Sequence, residues 1–488
     1  MIHSNIKHFS FISNNILNPK HRNFKLFRYF LISTSLLISL QSCDPEKEIP
    51  KEDPDITDTI PTETKIKIDF YDIASLPEIF VEISTEEWNN LLSFYDQNPN
   101  NEEYIKCSFQ IKNEKTSRNL SNCGLRLRGN TSRRRPEGTK NEAHKAVNPD
   151  WHHASFSVKF NKFEIGQDIS GVEKINLKWF KDDAMYVREV YCYDLFERYG
   201  VWTAPQSSYC RLKLKIKEDI DTVYYGVYEI LEPVDNDYIK SRDKQYGNAT
   251  GFLWKANWGA DLKSANTSLM GIENVSLTGT YTPVYDFKSD VVNFDFAKYQ
   301  LVDFITNLNN KTGDDFKTWI NMKMDVPLFL KTYAVSVLCG MWDDYWINKN
   351  NFYFYFNGEG KFFFIPFDYD NTLGTSQIIT DAGKQDVLNW GNSSYPLITK
   401  IINIPEYKAL YISYIRELCS NQNNYFEYSK STARIRNWQN LIKNYISNDT
   451  GEDMKIEDKP ASWGNCDFYR LLETNNNYFI IRASNIPK

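Results

Sequence analysis

Between residues 352 and 367 the chain carries two aromatic runs, Phe352-Tyr-Phe-Tyr-Phe356 and Lys361-Phe-Phe-Phe-Ile365, joined by Asn357-Gly-Glu-Gly360. Runs this rich in aromatic residues favour strands, and the glycine-bearing link is a turn signal, so the stretch predicts a β-hairpin. Aromatic side chains on both of its faces require the hairpin to be buried. Antiparallel pairing then sets the residues before the first strand beside those after the second. Asp343, Asp344, Asn348, Asn350 and Asn351 thereby meet Asp368, Asp370 and Asn371. Carboxylates and carboxamides converging at one end of a hairpin form the oxygen-donor set that Mg²⁺ uses together with substrate phosphates. A solvated polar loop is the plain alternative.

The chain has 488 residues, for which roughly 150 residues per domain would suggest about three units. No second linker, repeat or low-complexity block interrupts residues 66–488, however, so they read as one large α+β unit. Its 12 Trp, 31 Tyr and 31 Phe suffice for a large core. Strand-like runs occupy Ile66–Phe70, Cys107–Ile111 and Gly124–Leu127, followed by an Arg-rich loop from Asn130 to His153. Ser155-Phe-Ser-Val-Lys-Phe160 alternates at period two, with Lys159 opposite the apolar face. A helix over Ala184–Tyr199 ends at Gly200, and strands follow at Tyr209–Lys215 and Val223–Ile230. The second half is mainly helical, with helices at Phe294–Leu308, Val326–Cys339, Tyr407–Cys419 and Ser429–Ile446. The expected division is about 66–260 for an N-terminal lobe and about 261–488 for a C-terminal one.

The first residues address the protein rather than fold it. A basic stretch with Lys20, Arg22, Lys25 and Arg28 precedes the apolar run Tyr29–Leu40, and Ser42-Cys43 follows at once. That is a signal-peptide pattern over residues 1–42, with an apolar run too short to span the roughly 30 Å of a bilayer core. Cys43 after a small residue resembles the bacterial lipobox, in which the Cys is lipidated. Residues 43–65, rich in Asp, Glu, Pro and Thr, then form a flexible tether. The expectation is a lipoprotein of the bacterial cell envelope, with an uncleaved signal anchor as the alternative. The net charge of −6 does not suggest nucleic acid as a partner.

In protein kinases a loop Asp serving the acceptor hydroxyl, an Asn on metal, a β-hairpin and an Asp on metal occur in this same order. A kinase also needs a strand Lys for the phosphates and a helical Glu to pair with it. Lys159 sits on an alternating strand, and the following helix offers Glu189 within an apolar stripe. A carboxylate there is costly unless a cation meets it, and Lys159 is the expected partner.

Further segments resemble the CotH-type kinases, an atypical protein-kinase-like family. They are Leu125-Arg-Leu-Arg-Gly-Asn-Thr-Ser132, Ser155-Phe-Ser-Val-Lys-Phe160, Val187-Arg-Glu189, Tyr225-Gly-Val-Tyr-Glu-Ile-Leu-Glu232, Gly251-Phe-Leu-Trp-Lys255, Trp342-Asp-Asp-Tyr345 through Tyr355, and Ile365-Pro-Phe-Asp-Tyr-Asp-Asn-Thr-Leu-Gly374. The resemblance implies an atypical protein-kinase-like fold with a mixed or antiparallel N-terminal sheet region and a mainly helical C-terminal region. It also implies ATP with Mg²⁺ or Mn²⁺, and phosphorylation of Ser or Thr on a protein substrate. By position, Arg128 and Ser132 would lie in the phosphate-covering loop, Lys159 on the phosphates and Glu232 beside the adenine pocket. Asp343 would be the catalytic carboxylate, with Asn351, Asp368 and Asp370 on metal. Extra residues between Asp343 and Asn351 leave Asp344 as an alternative base and Asn348 as an alternative ligand. Arg133, Arg134 and Arg135 extend the loop, either as a phosphate clamp or as a solvated basic stretch.

Two rivals remain. Asp368-Tyr-Asp370-Asn-Thr372 matches the DxDxT nucleophile motif of haloacid-dehalogenase-type phosphatases, although such a motif should open a parallel βαβ sheet. The other rival is a non-catalytic surface-binding lipoprotein on the same scaffold. Beyond Cys43, seven Cys without a CxxC and three His outside the leader leave little for a zinc site or a triad. Cys107 and Cys123 are the first pair to consider for a disulfide.

Overall fold

The computed structural model describes residues 67–247, 250–374, 382–391, 393–446, 454–455 and 468–488. The leader, Cys43, the tether and Cys466 lie outside the described residues.

Seven strands make the N-terminal half: β1 (Glu78–Ile83), β2 (Ile105–Lys112), β3 (Ser117–Arg128), β4 (Ser155–Lys159), β5 (Lys174–Lys178), β6 (Ser207–Ile216) and β7 (Val223–Leu231). Neighbours from β1 to β5 pair antiparallel, and β5 pairs antiparallel with β7. β6 pairs with β7 on one side and, in parallel, with β1 on the other. The ring of pairings therefore closes into a barrel, which leaves none of these seven strands as a sheet edge. Period two sends Val81, Phe109, Leu125, Phe156, Leu177 and Leu212 to the inside, where they share one core. The alternate residues Arg126 and Arg128 of β3, Ser157 of β4, Asn176 and Lys178 of β5 and Glu229 of β7 share the outer face.

Ile68 and Phe70 are buried, as their alternation suggests, but Lys67–Phe70 is not a strand. It is held by Ser170 Oγ, which accepts from Ile68 N at 2.9 Å, and by Ser208, whose hydroxyl donates to Phe70 O. Cys107 and Cys123 face each other across β2 and β3 as buried thiols, and burial pushes the Cys123 thiol up to about 12.

Arg133 and Arg135 of the Arg-rich loop are anchored by protein partners, while much of residues 139–150 is exposed. Arg135 is buried and grips Asp96 of helix α1 (Thr85–Gln97) through two bonds of 2.9 and 3.0 Å. Arg133 donates to Gly129 O and Asn101 O. His144 lies between Glu137 of the same loop, at 2.9 Å, and Asp219 of the β6–β7 turn, at 3.0 Å. Burial disfavours its imidazolium, but the two carboxylates prevail and hold its pKa above the usual histidine range. A raised folded-state pKa contributes stability that is full below the unfolded value of about 6.5 and disappears as pH rises through the folded one. The Tm gap between wild type and His144→Ala is therefore expected to be wide near pH 6 and to narrow toward about pH 9, as read by thermal melts across that range.

The hairpin forms as expected, from Phe352–Phe356 and Phe362–Pro366. It does not stand alone. Its first strand pairs antiparallel with β8 (Phe252–Ala256), which pairs in turn with Tyr285–Phe287. The core that packs the helical half takes in Leu253, Trp254 and Ala256 of β8. One face of this sheet packs Phe356, Phe362 and Phe364 against Phe304, Phe329 and Trp346. Helix Val326–Cys339 has the bounds its spacing predicts; Leu, Phe and Val occupy nearly its whole circumference because it is buried all round. Helices Phe294–Asn310, Pro405–Cys419 and Tyr428–Ile446 agree with expectation to within two residues at each end. No helix among the described residues is long and apolar enough to cross a membrane.

Candidate functional site

β5 ends at Lys178, directly opposite Glu229 on β7. The chain then turns through Asp183, whose carboxylate accepts from the backbone N–H groups of Val187 and Arg188 at 2.8 Å each. That cap starts helix α2 (Arg188–Arg198) four residues later than the sequence pattern suggests. Glu189 in its first turn is 2% exposed. The Lys178 ammonium pairs with Glu189 Oε2, with Asp368 Oδ1 at 2.6 Å and with Asp370 Oδ2 at 3.0 Å. Glu189 Oε1 accepts from the Tyr193 hydroxyl and from the backbone N–H of Tyr369, both at 3.1 Å. Tyr193 Oη in turn accepts from the backbone N–H of Asp368 at 3.0 Å. One helix thus orients the lysine and fastens the loop after the hairpin.

The hairpin supplies the opposite lip. Phe352 pairs with Pro366, which brings Asn351 beside the chain entering Asp368. Asp343 accepts from Asn348 Nδ2 at 2.5 Å and from Asn351 Nδ2 at 3.1 Å. Asn351 and Asp368 both adopt positive φ, +49° and +63°. Asn and Asp tolerate this region better than other residues with a Cβ, and the bonds just described hold them there.

The electrostatics connect the two lips. Burial raises the Asp343 carboxyl above the usual aspartate range, its carboxamide partners oppose this, and the charge of Asp368 adds to the rise. Burial likewise pushes Asp370 up to about 8, with Lys178 opposing and Asp368 and Glu189 reinforcing. Asp368 moves down: burial acts against its ionisation, but Lys178, then Arg128 and Lys255, outweigh it. Glu229 is held well above the usual range by burial and by Glu189, with Lys178 opposing. One ammonium faces three carboxylates whose oxygens lie within 4.8 Å of one another, with Asp343 beyond them. That anionic excess, built entirely from hard oxygen donors, fits a divalent cation of the Mg²⁺ or Mn²⁺ type.

The expected pairing of Lys159 with Glu189 needs correction. Lys159 lies on the predicted face, but it pairs with Lys174 of β5, four residues or about 13 Å along the strand from Lys178. The cation meeting Glu189 is Lys178. Asp344 is 1% exposed and turns into the core, accepting from Trp346 N at 3.0 Å and from the Tyr369 hydroxyl at 3.4 Å. The carboxylate of Glu232 is taken up by Arg242, at 2.8 and 2.6 Å, at the edge of a cavity of about 640 Å³ that Tyr71 and Trp202 also line. Ser132 is half-buried, its Oγ 2.6 Å from where a Cβ on Gly129 would sit; with φ of +108°, that position requires glycine. Arg128 is the last residue of β3, and its charge acts on Asp368 and Tyr353. Asp368-Tyr-Asp370-Asn-Thr372 closes an antiparallel hairpin, and Thr372 is buried with its hydroxyl on Tyr369 O at 2.9 Å.

Lys178, Tyr193 and Glu229 are absent from the sequence-based set. A signal for Lys178 exists: Lys174-Ile-Asn-Leu-Lys178 also alternates, and it is the strand immediately before the helix of Glu189. A family model described as CotH kinase protein matches residues 125–478. No curated protein matches the chain.

Proposed function

The chain belongs to the CotH kinase protein family, and from that membership we propose that its cleft transfers the γ-phosphoryl group of ATP to a Ser or Thr hydroxyl of a protein substrate. The observation that carries this reading is the Lys178–Glu189 pair meeting Asp368 within electrostatic reach of Asp343. In the transfer the acceptor oxygen bonds to the γ-phosphorus, the bond from that phosphorus to the β–γ bridging oxygen breaks, and ADP leaves. Asp343, held by Asn348 and Asn351, takes the hydroxyl proton; its raised pKa makes it a stronger base than an exposed aspartate. Lys178 and Arg128 orient the phosphates from the barrel side. Asp368, Asn351 and Asp370 would hold a divalent cation, which would neutralise phosphate charge there. The atypical kinase-like fold is part of this proposal, as are export, lipidation at Cys43 and a place in the bacterial envelope.

The test is incubation of the full chain with Mg²⁺ or Mn²⁺ and γ-labelled ATP. Metal-dependent labelling of Ser or Thr, on the chain itself or on an added protein, is the expected result. ATP affinity without transfer would instead indicate a non-catalytic binding protein. Phosphate release from a model ester without ATP would indicate a phosphatase.

A further inference from the structure

Lys255 closes the motif Gly251-Phe-Leu-Trp-Lys255, to which the transfer mechanism gives no role. It stands on β8 opposite Tyr353 on one side and Asp286 on the other, so it shares a sheet face with both. The other face carries the aromatic packing against the helices. The Lys255 face is turned toward the cleft: Tyr353, opposite Lys255, packs its ring edge-on against Phe367, the residue before Asp368, at 5.0 Å. Glu102 is the partner of Arg126 on β3, at 3.0 Å.

The neighbouring cations are matched. Lys288 pairs with Asp286 and with Glu273, Arg126 with Glu102, and Lys178 with three carboxylates. Among the described residues, Lys255 and Arg128 alone of this group take no ion pair. Burial and the adjacent Lys288 charge hold the Lys255 ammonium below the usual lysine range, with Glu273 and Asp286 opposing. A partly desolvated cation beside other cations is an unfavourable arrangement until an anion completes it.

We propose that Lys255 is a second phosphate-binding cation of the cleft, gripping the polyphosphate of the nucleotide from the β8 sheet together with Arg128 while Lys178 holds it from the barrel. This rests on the nucleotide reading above and assigns that site a further residue. It explains why the sheet carrying the hairpin has a polar row, Tyr353, Lys255 and Asp286, on the face that meets Phe367.

Calorimetric titration of the full chain with Mg·ATP, Mg·ADP and adenosine tests it in wild type, Lys255→Met and Lys255→Arg. Losing one charge-assisted phosphate contact should weaken Mg·ATP roughly tenfold to a hundredfold, weaken Mg·ADP, leave adenosine unchanged, and be largely rescued by Arg. Normal wild-type affinity with unchanged Mg·ATP binding in Lys255→Met overturns the Lys255 assignment alone, as does an equal loss for adenosine. A wild type that binds none of the three overturns the nucleotide reading together with it. Should Lys255→Met fail to fold, acylation of wild-type lysines followed by mass spectrometry decides: Mg·ATP protects Lys255 and adenosine does not, and equal labelling in both cases sinks the proposal.

Discussion

A Lys178→Met chain is expected to lose phosphoryl transfer by about a hundredfold to a thousandfold and to melt well below wild type, whereas Lys159→Met should stay close to wild type in both respects. The asymmetry follows from what each lysine faces. Lys178 is 8% exposed and neutralises Glu189, Asp368 and Asp370; removing it leaves Glu189, 2% exposed, as an uncompensated buried charge. Breaking one side of such a pair typically costs about 3–5 kcal/mol. Removing both partners is milder, so Lys178→Met with Glu189→Gln should recover part of the lost Tm while transfer stays abolished. Thermal melts and initial rates with labelled ATP separate the two effects. Wild-type transfer in a folded Lys178→Met chain would remove the lysine from the mechanism.

Asp343→Asn and Asp368→Asn should each reduce transfer by about 10²–10⁴-fold, for different reasons. Asp343 supplies the proton acceptor, so its variant should still bind metal and nucleotide. Asp368 supplies a metal ligand, so its variant should also lose the rise in Tm that Mn²⁺ gives the wild-type protein. Asp344→Asn is the control that adjacent numbering makes necessary. That side chain ties the turn after helix Val326–Cys339 to Trp346 N and Tyr369. Its loss should lower Tm and leave the rate per folded molecule near wild type. The opposite pattern, transfer lost in Asp344→Asn and kept in Asp343→Asn, would exchange the two roles.

The hairpin, the four long helices and the barrel strands Cys107–Ile111, Tyr209–Lys215 and Val223–Ile230 are legible from periodicity because each is long or strongly patterned. The convergence of Asp343, Asn351 and Asp368 is legible for a related reason: a tight hairpin fixes its own register, and the register fixes which flanks meet. Which lysine meets Glu189 is not. Lys159 and Lys178 both sit on alternating strands, and only the pairing of β4 with β5 shows them to lie at opposite ends of one face. The neighbours Asp343 and Asp344 differ by a side-chain direction that a distant residue, Tyr369, helps to set. Arg133, Arg134 and Arg135 look like a charge run, yet partners on α1 and its following loop make two of them anchors. Glu189 was legible in kind, since a carboxylate in an apolar stripe demands a cation, though the pattern does not name that cation.

The barrel closes through β1, whose partner β6 lies some 130 residues further along the chain and runs parallel to it. Until β6 has been made, β1 has one free edge and Val81 and Phe109 have no roof, so the earliest part of the domain cannot complete its core by local contacts. Closing so long a loop precedes the reward of the contacts it allows, and this sets a high contact order. Acquisition of native structure should therefore be slow and late, with Lys178 and Glu229 reaching their final places only when the ring shuts.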